Sequence, residues 1–278
     1  MRKLILLFFC LLASFSVGSG SSDPLSKYAC ADDPNFIDVK VHHEYVRLRR
    51  IVMDDGAVYY ISVCEVTEDL WNDVMGLEDK DSRLAKGHVS MDSVAVFLSK
   101  IEQITKLKFD LPTVSQWEYA AYASDTFEYA GSPNIEEVAW WGYFKYRMTC
   151  GGWFGLERKF FDDLLDVTAR KTGPFEVACL KPNKWGLYDM SGNLEEWCKD
   201  SLKILGKAYS KGRTEGFTRR LERSDTSEFL PARALKGGCW ATLDAYDCAI
   251  SETWYDDPER SNDWIGFRLV INVKGNEK

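Results

Sequence analysis

The spacing of apolar positions changes along the chain, and each change marks an element. An unbroken apolar run from Leu4 to Leu12 follows Met1-Arg2-Lys3. It is far shorter than the roughly 20 residues a bilayer-spanning helix needs, so it reads as the core of a secretory signal and not as an anchor. From Val39 to Ile51, and again from Ala57 to Val63, β-branched and aromatic residues predict two strands turned at Asp54-Asp55-Gly56. The period then becomes helical. Thr67 precedes a short segment with Leu70, Trp71, Val74 and Met75 on one side and Gly76 after it, the pattern of a capped short helix. Met91, Val94, Ala95, Leu98 and Ile101 recur at helical spacing after Ser90. A third helix is expected from Thr113, where Gln116 completes a capping box and Trp117, Ala120 and Ala121 face inward. After Ala123 the apolar runs are short and Gly, Asn, Asp and Trp are frequent, which predicts loops and short strands. The class is α+β, with few short helices, short antiparallel strands and extensive loops.

Composition adds compartment and partners. Small residues (Ser14, Ser16, Gly18, Ser19, Gly20) follow the apolar run, and Cys10 stands after Phe8-Phe9, where a lipidation signal would need a small residue. The expected division is a signal peptide over 1–20, an N-terminal extension over 21–38 and one domain over 39–278. The protein is expected to be exported: secreted, periplasmic or associated with the cell envelope. Hydrophobic residues make up 45% of the chain, enough to bury a core. The net charge of −8, which becomes −10 without Arg2 and Lys3, repels phosphate backbones and argues against a nucleic-acid partner. Without Cys10, seven cysteines remain: Cys30, Cys64, Cys150, Cys179, Cys198, Cys239 and Cys248. The number is odd, so one stays unpaired, while export predicts disulfides among the others. No pair has CxxC spacing, which argues against structural zinc.

Three segments carry a resemblance. Residues 111–121 read LPTVSQWEYAA, residues 186–197 read GLYDMSGNLEEW, and Lys236-Gly-Gly-Cys-Trp240 is followed by Gly266-Phe-Arg-Leu-Val270. Weaker echoes lie at Glu65-Val-Thr67, Val74-Met-Gly76, Tyr129-Ala-Gly-Ser132 and Val138-Ala-Trp140. In this order and spacing they resemble the formylglycine-generating enzyme, or sulfatase-modifying factor, family from about Tyr45 to Val270. The resemblance implies a C-type-lectin-like fold elaborated by long loops.

It also implies chemistry that this chain only partly keeps. Enzymes of the family bind copper(I) through two cysteines that follow the GGS segment, a soft metal on soft thiolates. Here Cys239 stands at the serine of that segment, and the expected cysteine positions are Thr242 and Asp247. The nearest thiols, Cys239 and Cys248, are nine positions apart, so a copper site is not expected. They remain weak redox candidates beside the plainer reading that they are buried or disulfide-bonded. Ala249 and Thr253 stand where the family commonly has arginine, and Glu195 replaces an aromatic residue. The family's calcium site survives better: the resemblance assigns Asp189, the carbonyls of Gly192 and Leu194, and Glu196 as ligands, hard oxygens suited to calcium. The alternative is that Asp189 caps a turn and Glu196 pairs with an arginine. A second family calcium site falls in the rebuilt region 145–172 and is not carried over.

Other templates fit poorly. His42 and His43, read as neighbours on a strand, would point to opposite faces and not converge on a metal. Trp140, Trp141, Trp185 and Trp264 could line a cleft or simply fill the core. The basic stretch from Lys203 to Arg223 reads as a solvated loop. The expected function is therefore non-catalytic, in binding or envelope assembly, with a protein or small-molecule ligand as partner. The alternative is an oxidase that generates formylglycine or acts on another thiol. A third reading is a structural partner in an exported complex.

Overall fold

Thr67, Ser90 and Thr113 each turn the chain into a helix by the same device. In α1 (Glu68–Met75) the Thr67 hydroxyl accepts from the Leu70 amide at 3.2 Å, and Gly76 closes the helix at φ 74°, a left-handed conformation glycine adopts without a Cβ clash. In α2 (Met91–Thr105) the Ser90 hydroxyl accepts from the Ser93 amide at 3.3 Å. In α3 (Val114–Tyr122) the capping box is complete: Gln116 N donates to the Thr113 hydroxyl at 3.2 Å, and Thr113 N donates to the Gln116 side chain at 3.0 Å. Such caps contribute about 1 kcal/mol each. The computed structural model describes residues 23–78, 82–142, 173–205, 229–242 and 244–273. The expected signal peptide, Cys150, the region 145–172 and most of the basic stretch lie outside them.

Two four-stranded sheets carry the rest. The first contains β1 (Phe36–Val41), β2 (Glu44–Val52), β3 (Val58–Ser62) and the last strand, β8 (Val270–Val273), in the order β1-β2-β3-β8, all antiparallel. The second contains β4 (Glu195–Leu205), β5 (Phe229–Lys236), β6 (Trp254–Asp256) and β7 (Ile265–Gly266), in the order β6-β5-β4-β7, with β7 parallel to β4. The chain is α+β, as expected.

The opening strand pair needs correction. What reads as one strand from Val39 to Ile51 is two, reversed at His42-His43, with Val41 paired to Glu44 and His42 at φ 38°. Asp73 of α1 secures the reversal, accepting from the His43 amide at 3.2 Å and lying 3.0 Å from its Nδ1. A turn held by a residue thirty positions away leaves no local signal.

β3 is the hinge of the core. Tyr60 faces the cluster formed with α1 and α2, while Tyr59 and Ile61 face the cluster formed with α3. Strands buried on both faces lose the alternation of a half-exposed strand. Within the first cluster Trp71 stacks on Phe97 at 5.2 Å, and Phe267 meets Phe97 edge-on at 5.3 Å. The chain joins this core from its first described residues. Leu25 is buried in it, and the Asp23 carboxylate accepts from Tyr60 Oη at 2.7 Å and Arg50 Nε at 3.1 Å. No helix among the described residues is long and apolar enough to cross a membrane.

Candidate functional site

The turn leading into β4 is built from unusual backbone. Asp189, Gly192 and Asn193 have φ of 55°, 78° and 59°. At Gly192 a Cβ would lie 2.5 Å from the Trp140 carbonyl oxygen, so no other residue fits without moving the backbone. Asn183 ties the start of this turn to α3: its Oδ1 accepts from Trp185 and Leu187 amides, and its Nδ2 donates to the Ala120 and Ala121 carbonyls.

Glu196, in β4, sits at the centre. Its Oε2 accepts from Arg268 Nε at 2.6 Å and from Trp117 Nε1 at 2.7 Å, and its Oε1 accepts from Arg268 Nη2 at 2.6 Å. All three side chains are fully buried. Arg268 also donates to the carbonyls of Ser62 at 3.2 Å and Tyr188 at 3.0 Å. One guanidinium thus links the end of β3, the turn, β4 and the segment before β8, in the paired geometry that suits arginine to a carboxylate.

Two further carboxyls lie beside it. Asp189 Oδ2 accepts from the Ala178 amide at 2.7 Å, while its Oδ1 is buried without a hydrogen-bond partner. Burial pushes this carboxyl up to about 6, and the charge of Glu196 adds to the rise, against the Ala178 hydrogen bond and Arg268. Glu65 accepts from Leu194 N and Asn193 Nδ2, both at 3.3 Å. Burial, then the charges of Asp189 and Glu196, raise its carboxyl well above the usual range, with Arg268 opposing. Sequence reasoning missed Glu65, Arg268 and Trp117 as members of this group. All three stand in quoted motif segments, yet only the folded chain brings them together.

Of the four residues assigned to calcium, Asp189, Gly192 and Leu194 lie in this turn and Glu196 follows it in β4. Asp189 fits a hard cation, because a buried carboxylate oxygen without a donor is what such an ion would satisfy. Glu196 is committed to Arg268 and Trp117, though each of its oxygens can accept more than one bond. No group of three or more His, Cys, Asp or Glu side chains is arranged to hold a metal among the described residues.

Cys239 and Cys248 belong to different apolar clusters. Cys239 packs with Ala85, Phe175, Val177, Leu194 and Trp240, its amide donating to Thr242 Oγ1 at 3.0 Å. Cys248 packs in another cluster, with Tyr129, Ile135, Val138 and Ala139. Gly238, which precedes Cys239, has φ 68°, and a Cβ there would be 2.6 Å from Cys248 Sγ. Thr242 and Asp247, at the family's cysteine positions, are both buried. None of the six described cysteines is bonded to another of them, so the disulfides expected from export do not occur within this set. Cys64 packs against the same cluster as Cys239, whereas Cys198 and Cys248 lie in two others. Burial pushes the Cys64 thiol up to about 12 and raises that of Cys198 well above its usual value.

Lys236, on β5, is a further residue whose role was not foreseen. Fully buried, its Nζ donates to Glu118 at 2.8 Å, the Ile250 carbonyl at 2.6 Å and Thr253 Oγ1 at 3.2 Å. It pins the loop that contains Ala249 and Thr253. Of the four candidate cleft aromatics, Trp140 stacks on Phe175 at 4.5 Å, Trp185 lies 5.5 Å from Tyr119, and Trp141 and Trp264 pack against core clusters.

The motif residues thus form the buried frame of one domain. The model of the sulfatase-modifying factor enzyme 1-like domain matches residues 48–273. The chain belongs to this family. Over 97 residues it is 39% identical to the chaperone protein LppX of Paenibacillus barcinonensis, covering 32% of this chain and 30% of that protein. Over 164 residues it is 30% identical to the serine/threonine-protein kinase pkn1 of Chlamydia pneumoniae, covering 59% and 21%. The chain therefore spans less than a third of either relative. Among solved structures it is similar to Treponema denticola variable protein 1, with a TM-score of 0.60, 19% identity, and coverage of 86% of this chain and 99% of that one. PvdO from Pseudomonas aeruginosa gives 0.52 and 16%, covering 83% and 84%. These likenesses establish the C-type-lectin-like fold of the family.

Proposed function

We propose that this family member is an exported, non-catalytic protein that acts in binding or envelope assembly. The observation that carries the reading is the pair of family cysteine positions, occupied by Thr242 and Asp247. A hydroxyl and a carboxylate are poor ligands for copper(I), and the two neighbouring thiols are buried in separate apolar clusters. A chaperone among the relatives supports a role for this scaffold outside oxidation. Export rests on the apolar run from Leu4 to Leu12 with its basic start. Calcium belongs to the same reading as a structural ion at the Asp189–Leu194 turn, where Asp189 Oδ1, the carbonyls of Gly192 and Leu194, and Glu196 would hold it. Its part there would be to neutralise buried carboxylates and fix the turn.

The reading is tested by oxygen consumption with copper(I) and a cysteine-containing peptide. Consumption at the level of the protein-free control is expected. Turnover that disappears in Cys239→Ser or Cys248→Ser would favour the oxidase alternative, a relocated thiol site acting on a protein or small thiol.

A further inference from the structure

Glu65, Asp189 and Glu196 are 2%, 3% and 0% exposed, and Arg268 is the cation that acts on all three. Arg268 spends its two shortest bonds on Glu196. Two carboxyls are left over, and among the described residues neither has an ion-pair partner of its own. Glu65 has only two long bonds from neutral donors, and Asp189 keeps one buried oxygen with no donor. Asp189 is also the charge that acts most strongly on Glu65. Buried carboxylates left in excess must take up protons or a cation, because the cost of holding charge in a low-dielectric interior is several kcal/mol per ion. A divalent ion would balance two of them at once.

We propose that Glu65 is a ligand for a divalent cation shared with Asp189 at the Asp189–Leu194 turn, while Glu196 stays on Arg268. The proposal rests on the calcium reading above and alters its ligand set. Two features carry it: the unpartnered Asp189 Oδ1, and the contact of Glu65 with Leu194 N and Asn193 within the same turn. With two carboxylates and no third acidic ligand grouped for a metal among the described residues, backbone carbonyls of the turn would supply the remaining oxygens, which suits calcium.

The test uses the full mature chain, stripped of metal by a chelator and titrated with calcium chloride by calorimetry and thermal melting. The wild type is expected to bind one calcium and to melt higher with it. Glu65→Gln should weaken the affinity by on the order of 10-fold or more. Glu65→Asp, which keeps the charge but shortens the reach, provides a second variant and should also bind more weakly. If wild type binds calcium and both variants bind it with unchanged affinity, Glu65 is not a ligand and the calcium reading survives with Glu196. If wild type binds none, both readings fall.

Discussion

Arg268 and Glu196 form a bidentate ion pair, with both contacts at 2.6 Å and both side chains out of reach of solvent. The pair links segments 72 residues apart, and Trp117 donates a third bond into it. Removing one partner strands the other charge in the interior, which costs about 3–5 kcal/mol. Arg268→Met is therefore expected to lower unfolding stability by that amount in urea titrations. Stability within about 0.5 kcal/mol of wild type would contradict the structural role of the pair.

Trp117→Phe removes the third bond and part of the packing around it. The Nε1 donor is lost together with part of the buried ring, so a cost of roughly 2–4 kcal/mol is expected by denaturant unfolding. Glu196 retains Arg268 in this variant, and the loss should stay below that of Arg268→Met.

Asp189 gives a pH signature. Its folded carboxyl is raised to about 6 from 3.8, so the folded state binds this proton more tightly than the unfolded chain. The contribution is fully present at low pH and is lost as pH rises through about 6. Asp189→Asn removes the titration while keeping a residue that tolerates the left-handed backbone at φ 55°. In calcium-free buffer, the stability of Asp189→Asn relative to wild type should increase between about pH 4 and 6.5 and then level off. A difference that does not change with pH would show that the carboxyl is not raised.

Gly192→Ala probes the turn itself. A Cβ would meet the Trp140 carbonyl at 2.5 Å, and the φ of 78° disfavours any side chain. We expect a loss of about 1–3 kcal/mol from backbone strain, measured by thermal or urea unfolding, and a weakened response to calcium. An unchanged melting temperature would mean the turn can relax.

Local features of this fold were readable and distant ones were not. The three helix starts lie within three residues of their caps, so Thr67, Ser90 and Thr113 announce them. The reversal at His42-His43 depends on Asp73 across 30 residues, and the sequence there reads as a continuous strand. In the candidate site, Asp189, Gly192, Leu194 and Glu196 lie within one eight-residue stretch of a single motif, so the resemblance could name them together. Glu65 could not: its partners Asn193 and Leu194 are 128 and 129 residues away. The sequence also raised the pairing of Glu196 with an arginine as an alternative. Arg268, in a different motif, is that partner.

The most direct test of the central claim is copper(I) binding by the reduced protein without residues 1–20, in competition with a calibrated chelator and beside the Cys239→Ser/Cys248→Ser double variant. A domain with Thr242 and Asp247 at the family's cysteine positions is expected to leave the copper on the chelator, with the double variant indistinguishable from wild type. Tight one-to-one binding that disappears in the double variant would contradict the account and restore a thiol-based oxidase.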